Sequence, residues 1–162
     1  MEEATSKVRV RLAVEDGWPP VAFEELEAKP LRDDCYQLLS PPAFAVRLAI
    51  GDVVSVERHA SPELEPEPEQ VWVDSVIKSS GHSTVRVVFF QAAGQESEEG
   101  LRRGLKDLGA QVYETGFQGL ITVDIPGEVD YRAVREILGE GESRELWDFD
   151  EGAISHLHDY ES

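Results

Sequence analysis

The densest run of chemically able side chains is Ser80-Gly81-His82-Ser83-Thr84-Val85-Arg86. It holds an imidazole that titrates near neutrality, several hydroxyls and a guanidinium that can fork onto a carboxylate or phosphate. On one reading His82 is a base, Ser83 a hydroxyl donor and Arg86 an anion clamp, with Thr84 beside them. On the other the run is a tight hairpin. Gly81 then takes the strained position, Ser83 and Thr84 bond local backbone, and Arg86 leans from its strand onto an acidic side chain. Adjacent strand residues point to opposite faces, which separates His82 from Ser83 and argues against a catalytic dyad. No catalytic residue is assigned. His82, Ser83, Thr84 and Arg86 remain candidate binding residues.

A second cluster lies near the C-terminal end: Trp147, Asp148, Asp150, Glu151, His156 and His158. Trp147 and Glu151 join the candidate binding residues. If the chain is extended there, His156 and His158 share a strand face and can chelate a metal with Asp150 or Glu151. Against this, chain ends fray and carboxylates are common throughout this sequence. The expectation is no metal and no cofactor. The single cysteine, Cys35, excludes an internal disulfide and a thiolate zinc cage, and its Cys-Tyr-Gln-Leu-Leu context reads as a buried inert thiol. Gly100, Gly104 and Gly109 are too widely spaced for a nucleotide loop, and Gly116 to Gly119 lacks the following helix.

The elements that must position these residues are legible from periodicity. Val8, Val10, Leu12 and Val14 alternate with polar residues, as in a strand with one buried face. Strands follow over 21–28, 35–39 and 53–57, separated by Gly, Asp and Pro turns; 43–50 reads as a strand or an irregular crossing loop. Residues 61–70, SPELEPEPEQ, read as an exposed extended loop. A strand over 71–77 comes next. Val85, Val87 and Phe89 alternate with Arg86, Val88 and Phe90, a pattern apolar on both faces that predicts a central, covered strand. Leu101, Leu105 and Leu108 predict an amphipathic helix stopped by Gly109. Strands over 111–114 and 120–125 follow, then a helix capped by Asp130 and ended by Gly139-Glu140-Gly141. Trp147–Phe149 and Ala153–Leu157 read as two short strands. The fold class is α+β: a small β-barrel over 1–65 and a ferredoxin-like βαββαβ unit over 66–162.

Lys and Arg total 15 and Asp and Glu 33 in 162 residues, giving 15 − 33 = −18. Such a field repels nucleic-acid phosphates and anionic membrane surfaces and attracts basic proteins. The acidic start MEEATSKVRV lacks the basic and apolar regions of a signal peptide, and no apolar run is long enough to span a bilayer. With one cysteine, these features point to a soluble cytoplasmic protein.

Four segments carry a family likeness: Trp18-Pro19-Pro20-Val21, Ile50-Gly51-Asp52-Val53-Val54, Ser80 through Val87, and Trp147 through Gly152. The chain resembles, over roughly residues 7–155, a family of uncharacterised bacterial proteins, common in actinobacteria, defined only as a domain of unknown function. That resemblance implies an architecture and no activity. Two functions stay open. One is a non-catalytic interaction module, an acidic inhibitor or immunity-type protein binding a basic partner. The other is a small-molecule binding domain or minor enzyme using His82 and Arg86.

Overall fold

The structure is a computed structural model that describes residues 5–59 and 70–158. The proline–glutamate stretch from Ser61 to Glu69 lies outside the described residues. The chain divides into two compact units between Ser80 and Gly81.

The first unit is a closed ring of five strands: β1 (Ser6–Arg11), β2 (Phe23–Pro30), β3 (Cys35–Leu38), β4 (Val53–His59) and β5 (Gln70–Lys78). Consecutive strands are antiparallel, and β5 closes the ring parallel to β1. An odd number of strands wound in sequence order requires that parallel closure. The expected division at 65/66 falls before β5, yet β5 pairs with β4 and β1 and belongs to this ring. Inward positions alternate along the strands: Val8, Leu26, Ala28, Tyr36, Leu38 and Val54 form the core with Ala45 and Leu48.

Ala45 and Leu48 come from the 43–50 segment, which is an irregular loop. Two carboxylates hold it. Glu24 accepts the backbone N–H groups of Ala43, Phe44 and Ala45 at 2.9, 3.1 and 2.6 Å. Buried Asp52 accepts the N–H of Ala49 at 3.1 Å and that of Ser80 at 2.9 Å. These N–H groups, which no sheet ladder satisfies, thus find carboxyl acceptors. Outside the ring, Arg9 pairs with Glu25, its partner in register, and Arg58 with Asp34. Arg11 instead lies over the Trp72 ring at 4.5 Å, a cation–π contact in place of the cross-strand ion pair its neighbours make.

The second unit contains β6 (Ser83–Phe89), α1 (Gly94–Leu108), β7 (Gln111–Glu114), β8 (Leu120–Ile125), α2 (Tyr131–Ser143) and β9 (Trp147–Ala153). The sheet order is β7-β8-β6-β9, antiparallel throughout. Val85 and Val87 of β6 and Ile121, Val123 and Ile125 of β8 pack with Leu101 and Leu105 of α1 and Val134 and Leu138 of α2. Gly109 ends α1 at φ 103°, a conformation that glycine adopts without strain. Asp130 caps α2 by accepting the N–H of Arg132.

Three sequence expectations change here. The Ser80–Arg86 run is no hairpin: β5 belongs to the ring, while β6 pairs with β8 and β9. Gly139 and Gly141 do not end α2, which continues to Ser143. Gly141 serves packing instead, because a Cβ there would lie 1.9 Å from the Trp147 indole. Residues 147–153 form one strand, and 156–158 form a 3-10 turn where a second strand was expected.

Candidate functional site

β6 lies between β8 and β9, so its side chains meet two neighbouring rows on each face. Pairing in register sets Asp150, Arg86, Thr122 and Tyr113 side by side on the face away from the helices, and Thr84 beside Asp124. Ser83, Val85 and Val87 take the helix side.

On the first face His82 Nδ1 lies 2.9 Å from Asp124 Oδ1. The Asp124 side chain is 4% exposed and that of His82 29%. Burial pushes the Asp124 carboxyl above its ordinary value, and nearby Glu128 adds to the rise; His82, by hydrogen bond and charge, and His158 pull against it. Arg86 donates from Nε and Nη2 to Asp150 at 2.7 and 3.2 Å, the bidentate geometry that suits a guanidinium and a carboxylate. Gly152 makes room for it, since a Cβ there would stand 2.6 Å from Arg86 Cζ. The acidic partner expected for Arg86 is therefore Asp150. Thr84 is buried on the same face. The Thr122 hydroxyl is buried and has no partner among the described residues.

On the opposite face Ser83 meets a different histidine. Its Oγ lies 2.5 Å from His158 Nδ1 and accepts the N–H of Ser155 at 2.8 Å. His158 Nε2 lies 2.9 Å from the carbonyl of Pro126. A carbonyl only accepts, so Nε2 carries a proton and donates it to Pro126. The Tyr131 ring stacks on His158 at 5.4 Å. Ser83 is fully buried and His158 4% exposed, so this serine–histidine contact clasps the 155–158 turn to β6 and meets no solvent.

The six candidate residues thus divide. His82, Thr84 and Arg86 share the helix-free face, while Ser83, Trp147 and Glu151 sit on the helix side. Trp147 is a core residue whose Nε1 donates to the Leu138 carbonyl at 2.9 Å. Glu151 accepts from Tyr131 Oη and from Arg135 Nη1 at 2.8 Å. The acids and histidines near the C-terminal end also separate: His156 is exposed, His158 is buried in its clasp, and Asp150 holds Arg86. Among the described residues no three His, Cys, Asp or Glu side chains group closely enough to hold a metal ion. No helix among them is long and apolar enough to cross a membrane.

Sequence reasoning missed Asp124, which carries its signal as the one carboxylate in the apolar run Leu-Ile-Thr-Val-Asp-Ile. It also missed a contact at the C-terminal end of α2. There a hydrogen bond with Asp148 first, then burial and then the Asp148 charge push Glu142 above its ordinary value, while Arg135 pulls against it.

No curated protein matches the chain. A crystal structure of a hypothetical protein from Neisseria gonorrhoeae is similar in fold, with a TM-score of 0.73 and 21% identity over 93% of this chain and 96% of that one. Residues 24–149 match the domain of unknown function DUF4265, and the chain belongs to that family.

Proposed function

We propose that the protein is a non-catalytic interaction module whose acidic surface engages a basic protein, as an acidic inhibitor or immunity-type protein does. The observation that carries this reading is the charge ledger. Even if each of the 15 Lys and Arg residues neutralised one of the 33 carboxylates, 33 − 15 = 18 would remain. A basic partner relieves that mutual repulsion, and the same field speeds its approach while repelling nucleic acid and anionic membranes. The engagement of Ser83 with His158 and Ser155, and of Arg86 with Asp150, supports structural roles for the side chains with catalytic potential. On this reading the chain is a small β-barrel followed by a ferredoxin-like unit and acts in the cytoplasm. The closed ring and the order β7-β8-β6-β9, with a helix in each crossover, support the two fold names. The lone cysteine supports the compartment.

Fluorescence anisotropy with Lys- and Arg-rich peptides at physiological salt tests this. Saturable one-to-one binding that weakens as salt rises is expected. Equal binding of neutral peptides, or no saturable binding, would sink the reading.

One observation favours a small polar ligand instead: the buried Thr122 hydroxyl, which has no partner among the described residues, set beside Arg86 and one row from Asp124. A ligand there would shift the NMR signals of Thr122, Arg86 and His82 and leave the acidic end of α2 unchanged. A basic peptide should do the reverse.

A further inference from the structure

The second unit ends in an exposed apolar surface beside excess negative charge. Val88, Phe90 and Phe117 are 40%, 44% and 42% exposed. The backbone brings their segments together: the N–H of Phe89 donates to the Gly119 carbonyl at 2.8 Å, which seats the Phe117 turn against the end of β6. On the other side the N–H of Phe90 donates to the Leu146 carbonyl at 3.0 Å, and Val88 stands opposite Asp148 in the ladder. The carboxylates of Glu142, Glu145 and Asp148 are therefore this surface's neighbours along one edge, and all three residues are exposed. From Glu140 to Asp150 the sequence holds five carboxylates and one cation, Arg144.

We infer that this end of the sheet docks a basic protein segment in which apolar side chains stand beside Lys or Arg. The inference rests on the interaction-module reading and names its surface and the kind of segment it takes. Both parts of the partner follow from chemistry. Val88, Phe90 and Phe117 leave water when apolar side chains cover them, so a purely hydrophilic basic peptide gains nothing from them. The flanking carboxylates of Glu142, Glu145 and Asp148, all exposed, favour cations at the edge of the segment and reject an acidic apolar one, because a like charge brought beside them is repelled. A second copy of this chain fits poorly for the same reason, since its own sheet end would bring Glu142, Glu145 and Asp148 against themselves.

Two peptides of equal charge test the surface, one alternating Lys with Leu and Phe, the other alternating Lys with Ser. The protein should bind the apolar-bearing peptide about tenfold or more tightly, as covering even one large side chain predicts. Phe90→Ser should remove that preference while leaving affinity for the Lys/Ser peptide unchanged. Glu142→Gln with Asp148→Asn should weaken both peptides together. Equal affinities in the unaltered protein, or a preference that survives Phe90→Ser, would overturn the inference while leaving the charge-based reading standing. Failure of both peptides to bind removes that reading and this surface with it. Amide shift mapping on the unaltered protein guards against a misfolded variant: the apolar-bearing peptide should perturb Val88, Phe90 and Asp148, and perturbations confined to other surfaces reject the site.

Discussion

Asp124 shows how a single buried carboxyl sets a pH dependence. Its folded-state value is raised, chiefly by burial. The protonated form is thus favoured by folding, and its stabilisation is complete below the ordinary value, then lost as pH rises through the raised one. Asp124→Asn cannot lose that proton. The stability of the natural protein relative to the Asn variant should therefore fall as pH rises through the carboxylate range. Urea melts of both proteins across that range measure it; a relative stability that climbs with pH would mean that the His82 contact outweighs burial. Glu24 acts through contact alone: its carboxyl receives three backbone N–H groups from the 43–50 loop. Glu24→Ala should cost about 1–3 kcal/mol by stranding those donors, and faster amide exchange at Ala43 to Ala45 would locate the loss. At this scale the candidate site was half legible. A strand arginine in an acidic chain had to find a carboxylate, and Arg86 found Asp150. The pairing of Ser83 with His158 spans 75 residues, and no local spacing encodes such a contact.

Elements were read where one periodicity dominated and misread where a residue served packing across the fold. The Leu101, Leu105 and Leu108 stripe specifies α1, and β6 is the central strand that its two-sided apolar pattern predicts. Leu105→Ala should remove core contacts and cost about 2–5 kcal/mol in a denaturant melt. Gly139 and Gly141 read as a helix stop because glycine weakens helices on its own. Gly141 is instead the gap that admits the Trp147 ring, and tertiary contact overrides its local preference. The two glycines should therefore answer alanine with opposite signs. A Cβ at position 139 meets nothing within 4 Å, so Gly139→Ala should stabilise by about 0.5–1 kcal/mol through helix propensity. Gly141→Ala drives a methyl into the indole and should cost about 1–3 kcal/mol or more. A thermal scan of both variants decides between packing and propensity. The split of 147–157 into two strands failed for a related reason: β9 runs on through Gly152 because that glycine leaves room for the Arg86 guanidinium.

For the whole molecule, charge is the property that both the sequence and the fold leave unbalanced. The ion pairs formed by Arg9, Arg58, Arg86, Arg102 and Arg135 each tie one cation to one carboxylate. Pairs of this kind are local and contribute little where they face solvent. Repulsion among the remaining carboxylates is long-ranged, and it favours the expanded chain, in which they stand farther apart. Salt distinguishes the two effects. Raising ionic strength from about 0.01 to 0.15 M shortens the screening length from about 30 to 8 Å. That change removes most of the repulsion across the surface and leaves the bidentate Arg86–Asp150 contact, whose arginine is 7% exposed, largely intact. The melting temperature should therefore rise over that salt range, with sodium chloride and with sodium bromide alike, since screening depends on ionic strength. A melting temperature that falls over the same range would mean that exposed ion pairs contribute more than the repulsion costs. Repulsion among the 18 excess carboxylates would then be too weak to argue for a basic partner.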